Sequence, residues 1–252
     1  MVYFVGAGCG AADLITLRGV RLLRQARLII YAGSLVNPEL LSCAGDGCEV
    51  RNSAEMTLDD VIFAIKRAES ENKTTVRLHT GDPCIYGAIR EQMDRLERLG
   101  IPYEICPGVS SFCGAAAALR AEYTLPEVSQ SVIITRMAGR TPVSESESIS
   151  ARASHGLSMV IFLSAGMTGE LQNELLRGGY SEDTPAAIVY KASWPDEKVL
   201  RCRVGTLRET AQKAGIDHFA VITVGEFLGG CCALSKLYDP SFTTGFRKGG
   251  EL

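Results

Sequence analysis

The feature that most narrows the fold is a recurrence of short apolar runs, each halted by turn-forming residues: "VYFVG" at 2–6, "RLIIY" at 27–31, "TTVRLH" at 74–79 and "YEICPG" at 103–108. Runs this short, rich in β-branched and aromatic residues, predict buried strands. The stretches between them are amphipathic. In "TLDDVIFAIKRAES", Leu58, Val61, Ile62, Ile65 and Ala68 share one helical face. Strands alternating with helices predict an α/β layer structure. The second half repeats the style with "SVIITR", "MVIFLS", "AAIVYK" and "HFAVITVG". There "AAIVYKA" and "KVLRCRVGTL" flank "SWPDE" as the arms of a hairpin would, so its sheet should be mixed rather than purely parallel.

A chain of 252 residues suits one large domain or two smaller ones. "LRAEYTLPEV", which contains Pro126, follows a helix of small residues and is expected to close the first domain. The predicted organisation is an N-terminal α/β domain over 1–122, a C-terminal mixed α/β domain over 123–235, and a tail over 236–252 that lacks periodicity. The Ser-rich "TPVSESESISARASHG" reads as a mobile loop.

Composition excludes several classes of function. A net charge of −3 gives no general attraction to nucleic acid or anionic membrane, so an anionic ligand would need local basic residues. Nine cysteines without a CxxC pair, including the adjacent Cys231 and Cys232, suit free thiols in a reducing cytosol rather than a disulfide framework or a metal site. "MVYFVGAGCG" has no charged leader and reads as a first strand. No apolar run approaches the roughly 20 residues of a membrane span, and the expected location is cytoplasmic.

Three turns carry the candidate chemistry. Gly6-Ala7-Gly8-Cys9-Gly10-Ala11 could be a dinucleotide fingerprint, but "AADLI" intervenes before the helical pattern near Thr16, and "RLIIY" ends without the acidic residue that holds a ribose. In "LHTGDPCIYGAIREQ" an apolar run stops on Gly81-Asp82-Pro83 and goes straight on into a helical pattern. Those three residues are either simple turn formers or bare backbone brought up to a small ligand at a strand's carboxyl end. In "EICPGVSSFCGAAAAL", Ser110 and Ser111 cap a small-residue helix. They serve close packing, or they offer hydroxyls and free N–H groups to a ligand.

Taken in order, "FVGAGCGAADLITLRG", "YAGSLV", "HTGDPCIYGAIREQ", "CPGVSSFCGAAAAL", "TRMAGRTPV" and "YKASWPDE" resemble the tetrapyrrole (corrin/porphyrin) methyltransferase family, from about Val2 to Val224. The resemblance implies two α/β domains with a trough for S-adenosylmethionine between them, a corrin precursor as substrate, S-adenosylhomocysteine as product and a homodimer. It implies that Thr80, Gly81 and Asp82 approach the methionine portion through backbone groups, with Ile85 packing on the cofactor and no room for a side chain at Gly81. Cys9 stands where relatives often carry Pro and joins the same set. Ser110 and Ser111 match the cofactor-contacting pair, and Leu163 and Ala192 match positions that enclose the adenosine.

The chemistry implied needs few side chains. A sulfonium is already an activated methyl donor and an electron-rich ring carbon a competent nucleophile, so catalysis is mainly in-line positioning and exclusion of water. No Ser-His-Asp or Cys-His arrangement is evident. Relatives carry an acidic residue after the second strand where "YAGSLV" has Ala32 and Gly33, so no catalytic acid or base is assigned. Arg136 and Arg140 in "ITRMAGRTP" are candidate cations for the tetrapyrrole carboxylates, whose geometry suits the guanidinium fork. Lys191 is a third cation, and Glu91 matches a substrate-side carboxylate. His79 reads as a strand-end hydrogen bonder. The alternatives are another methyltransferase of the superfamily, acting at a different corrin or uroporphyrinogen position or on ribosomal RNA, and a non-enzymatic tetrapyrrole carrier. A basic, aromatic-interleaved stripe for RNA is missing from the sequence.

Overall fold

Val2, Phe4 and Val5 have no solvent exposure because β1 (Val2–Gly6) lies inside a five-stranded sheet. The structure, a computed structural model, describes residues 1–230 and 235–250. Cys231 and Cys232, read above as free thiols, lie outside the described residues; the seven described cysteines are all free. The chain divides into two compact units, Met1–Ala118 with Lys191–Glu197, and Leu119–Tyr190 with Lys198–Leu252.

The first unit adds α1 (Leu17–Gln25), β2 (Leu28–Tyr31), β3 (Glu49–Asn52), α2 (Leu58–Ser70), β4 (Thr75–His79), α3 (Arg90–Arg98), β5 (Tyr103–Cys106) and α4 (Ser111–Leu119). Its sheet runs β3-β2-β4-β1-β5 with every pairing parallel. Successive side chains alternate between faces. Phe4 and Ile30 therefore join Val61, Ile65 and Leu96 on one face, while Val5, Ile29 and Leu78 join Leu22 and Leu23 on the other. The expected face of α2 is the buried one, and its start is fixed by a capping box between Thr57 and Asp60. β3 was not legible in the sequence: it is a polar edge strand, and Glu49, Arg51 and Asn52 stay partly exposed.

The path through the sheet locates a crevice. From β1 the chain crosses β4 to reach β2, and from β4 it crosses β1 to reach β5. The connections thus leave two neighbouring strands in opposite directions, the arrangement at which open α/β sheets bind ligands. One local expectation is corrected here. The helical pattern does not follow Gly81-Asp82-Pro83 directly; α3 begins at Arg90. Tyr86 and Ala88 hold left-handed φ of 55° and 49°, and a Cβ on Gly87 would lie 2.1 Å from the Pro83 carbonyl, so 82–89 is an irregular loop.

The second unit contains β6 (Val132–Arg136), α5 (Ile149–Ala153), β7 (Ser158–Phe162), α6 (Thr168–Arg177), β8 (Pro185–Tyr190), β9 (Lys198–Arg203), α7 (Leu207–Ala214) and β10 (Ala220–Val224). Its sheet, β6-β7-β10-β8-β9, is mixed: β6 and β7 are parallel, and the expected β8–β9 hairpin is antiparallel, as are the pairings of β10. The Ser-rich stretch is not simply a loop. The Ser148 hydroxyl accepts from the Ala151 N–H and caps α5, and Ile149 and Ala153, one turn apart, are buried. In the tail, the Arg247 guanidinium donates to the carbonyls of Leu237, Asp239 and Phe242. Among the described residues no helix is long and apolar enough to cross a membrane.

β4 also buries two basic side chains on one face. Arg77 and His79 are 3% and 4% exposed. Burial, with the nearby Arg77 charge adding to it, pushes the His79 imidazole down to about 3 from 6.5. The ring is therefore neutral in the folded protein, while the unfolded chain takes up a proton below pH 6.5. Stability associated with His79 is complete above that pH and falls as pH drops through the window from 6.5 toward 3. At pH 5 the loss amounts to about 2 kcal/mol. Thermal melts at pH 7 and pH 5 check this: His79→Leu should show a clearly smaller drop in Tm between the two than the parent chain.

Candidate functional site

The turns that follow β1, β4 and β5 meet backbone to backbone. A Cβ on Gly6 would lie 2.5 Å from the Gly81 carbonyl oxygen and 2.6 Å from the Gly108 Cα, and one on Gly108 would lie 2.2 Å from the same oxygen. Real Cβ contacts are never so short, so glycine is required at both. Reciprocal bonds fix the pairing: the Gly81 N–H donates to the Gly8 carbonyl at 2.8 Å and the Gly8 N–H to the Gly81 carbonyl at 3.3 Å. The Asp82 carboxylate then accepts from the Gly108 N–H at 2.9 Å through one oxygen and from the Cys84 N–H at 2.8 Å through the other. Asp82 thus ties the third turn to the second.

Gly81 has a φ of +62°, so any side chain strains the turn as well as filling space. A Cβ there would point at the start of α4, 3.4 Å from the Ser110 Cα and the Ser111 nitrogen. A helix start presents N–H groups and the positive end of the helix dipole, which suits an anionic group such as a carboxylate. Ser110 is buried, while Thr80, Ile85 and Ser111 are half-buried. Bare backbone at Gly81 beside a helix N-terminus fits the amino-acid portion of a ligand such as S-adenosylmethionine.

Lys191–Glu197 completes this unit; the sequence read it as a hairpin turn with Lys191 as a cation and Ala192 beside the adenosine, and did not foresee its packing on the Gly-rich turn. Ser193 Oγ accepts from the Ala11 N–H at 3.0 Å and lies 3.4 Å from Cys9 Sγ. Asn37 Nδ2 donates to the Gly10 carbonyl at 3.0 Å from the other side. A Cβ on Gly10 would sit 2.4 Å from the Trp194 ring and 2.5 Å from the Ala192 carbonyl, and one on Gly114 would meet Cys9 Sγ at 2.8 Å and Ala192 Cβ at 3.3 Å. Cys9 is therefore a packed, buried residue between the Gly-rich turn, α4 and Ala192. Ser193, Trp194 and Asn37 were missed. The available signal was length, because a seven-residue connection carrying the sole Trp exceeds the tight turn that a hairpin needs.

The structure brings Cys9, Thr80, Gly81, Asp82, Ile85, Ser110, Ser111 and Ala192 into the first unit. Leu163, Arg136 and Arg140 belong to the second. There they cluster at the ends of the parallel neighbours β6 and β7. Leu163 is 65% exposed at a left-handed φ of 53°, an unfavourable state for an apolar non-glycine residue and one that marks functional positions. Ser164 Oγ, next along, accepts from the Met137 N–H at 2.9 Å and donates to the Phe162 carbonyl at 2.7 Å. Arg136 donates to the carbonyls of Met137, Thr141 and Pro142 at 3.0, 3.2 and 3.0 Å. Its guanidinium organises the 137–142 loop, whereas Arg140 is exposed at the tip and makes no side-chain hydrogen bond or ion pair with another described residue. Glu91 is exposed in the first turn of α3, and Lys191 is engaged with Asp196 and lies 5.6 Å from the Trp194 ring. Among the described residues no three His, Cys, Asp or Glu side chains group as a metal site would require.

The family model for Tetrapyrrole (Corrin/Porphyrin) Methylases matches residues 1–208. The chain belongs to this family. It is 50% identical, over 98% of its length and 96% of the other's, to the cobalt-precorrin-4 C(11)-methyltransferase of Methanocaldococcus jannaschii. The X-ray structure of a cobalt precorrin-4 methyltransferase of cobalamin biosynthesis superposes with a TM-score of 0.88 at 45% identity, covering 90% of this chain and 95% of that one. A uroporphyrin-III C-methyltransferase from Thermus thermophilus, solved with S-adenosylhomocysteine, gives 0.75 at 26% identity, covering 90% and 92%. The two-sheet architecture is the tetrapyrrole methylase fold, and the chain is a methyltransferase of that family.

Trp194 makes the docking of Lys191–Glu197 measurable, because it is the only tryptophan. Gly10→Ala should push the indole away from the Gly-rich turn, shift its emission to longer wavelength and destabilise the chain by about 1 to 3 kcal/mol, the usual range for overpacking. Emission spectra and denaturant melts of the variant check both effects.

Proposed function

We propose that the chain transfers the methyl group of S-adenosylmethionine to carbon 11 of precorrin-4, with or without its cobalt, in cobalamin biosynthesis. The observation that carries the cofactor assignment is the bare Gly81 backbone facing the α4 start, 3.4 Å from the Ser111 nitrogen. The full-length relative named for carbon 11 supports the position methylated. When bound, the cofactor supplies the activated methyl group. The residues' part is to orient and enclose. Thr80 and the Gly81-Asp82 backbone meet the methionine portion, Ser110 and Ser111 cap its carboxylate, and Ile85, Leu163 and Ala192 pack on the remainder. Cys9 shapes the pocket from behind.

Arg140 is the substrate contact in this reading, and Arg136 serves it by fixing the loop. The homodimer implied by the family resemblance and the cytoplasmic location expected from the sequence belong to the same proposal. A monomeric mass by light scattering at micromolar concentration would refute the dimer.

Calorimetry should show S-adenosylhomocysteine binding the purified chain, with a rise in Tm that follows ln(1 + [L]/Kd); no binding at millimolar ligand would sink the cofactor assignment. Arg140→Ala should raise the KM for the tetrapyrrole about tenfold and leave S-adenosylhomocysteine affinity unchanged. That corresponds to the low end of a charge-assisted contact, about 1.5 kcal/mol, because the side chain is exposed. Products formed from precorrin-4 with and without cobalt, followed by mass spectrometry, identify the substrate form; a corrin methylated elsewhere than carbon 11 would favour another activity of the superfamily.

A further inference from the structure

The irregular loop 82–89 is tied to the sheet by a buried polar relay that the proposed chemistry does not use. Arg77, in the middle of β4 and 3% exposed, donates through Nη1 to the Ile30 carbonyl at 2.7 Å and through Nε to Gln92 Oε1 at 2.9 Å. Gln92, on α3 and 6% exposed, donates through Nε2 to the Ala88 carbonyl at 3.1 Å. The amide orientation is fixed by chemistry, because a guanidinium only donates and so claims the amide oxygen, leaving the NH2 for a carbonyl. Among the described residues no carboxylate pairs with Arg77. The relay ends on Ala88, whose left-handed φ of 49° must be imposed from outside, since alanine gains nothing locally from that conformation.

We propose that Gln92 is a positioning residue for cofactor binding: held by Arg77, its amide keeps Ala88 in the left-handed state and so sets the path of the loop that carries Ile85. This rests on the reading that Ile85 packs on S-adenosylmethionine. A loop that occupies its binding-competent path for only part of the time lowers apparent affinity by that fraction. The relay therefore acts on KM for the cofactor rather than on the chemical step.

Gln92→Glu separates positioning from stability. A carboxylate at 92 keeps the acceptor for Arg77 and gives that buried cation an anionic partner, but it cannot donate to Ala88. In the purified full-length variant, calorimetry with S-adenosylhomocysteine should show Kd raised about fivefold. KM for S-adenosylmethionine should rise in parallel, kcat at saturation should stay within about twofold, and Tm should be equal to or above that of the parent chain. Wild-type Kd, or a loss of affinity that only accompanies a loss of Tm, would overturn the proposal. Should Gln92→Glu fail to fold, Gln92→Met, which keeps the volume and removes both bonds, must show the same rise in Kd per folded molecule; an unchanged Kd overturns the proposal. Ile85→Asp is the control. If it abolishes binding while Gln92→Glu does not alter it, the relay fails and the site stands; if Ile85→Asp binds normally, the assignment of this loop to the cofactor fails and the relay proposal falls with it.

Discussion

The contact on which the site depends is the approach of Gly6, Gly81 and Gly108, where three chain segments touch through backbone atoms with no Cβ between them. Each follows a strand of one parallel sheet, and β1 lies between β4 and β5. Because the strands are locked in register by their ladders, their ends are fixed in space before any loop is considered. Beyond the end of that parallel ladder, the reciprocal Gly8 and Gly81 bonds form an isolated antiparallel bridge that pins the two turns to each other. Asp82 then fastens the β5 turn by accepting the Gly108 N–H. Its carboxylate is thereby committed to architecture, and what the turn presents to a ligand is backbone.

The second unit reaches a comparable result with side chains. There the ends of β6 and β7 are joined by Ser164, which serves Met137 and Phe162 at once, and by Arg136, which gathers three carbonyls of its own loop. A loop whose carbonyls converge on one guanidinium is held by several donors of a single rigid, planar group. Arg140 is presented at its tip with its charge available. Under the proposed function the two arginines, four residues apart, divide the labour: one orders the loop and the other meets an anion.

Much of this was legible in the sequence. The strand cores, the amphipathic face of α2, the β8–β9 hairpin and the mixed second sheet follow from periodicity, because burial on one or both faces leaves a regular pattern. β3 and α5 were hidden for the same physical reason: both are short and only partly buried, so polar residues such as Arg51 and Ser150 interrupt the few apolar positions before a period can show. The glycine turns stood out because their composition is unusual. The residues that hold those turns did not. Ser193 contacts Ala11 across 182 positions and Arg77 contacts Ile30 across 47, and a contact between distant positions leaves no local pattern to read. Arg136 was legible as a cation, while its inward bonding depends on loop geometry that spacing alone does not encode.

The two devices that shape the proposed cofactor side differ in strength, and the difference separates their roles. A methyl group on Gly108 would need the backbone at Gly81 to retreat from a 2.2 Å approach, which no rotamer change relieves, so the glycine contact is all-or-none. The Gln92 bond to Ala88, by contrast, is one neutral hydrogen bond, worth about 1 kcal/mol net. That is enough to shift the loop between conformations several-fold and too little to hold the fold together. Geometry at the glycine turns is thus set by contacts that cannot be partly made. In the proposed reading, the loop that carries Ile85 is set by one that can, as a segment that must admit and release a cofactor on every turnover requires.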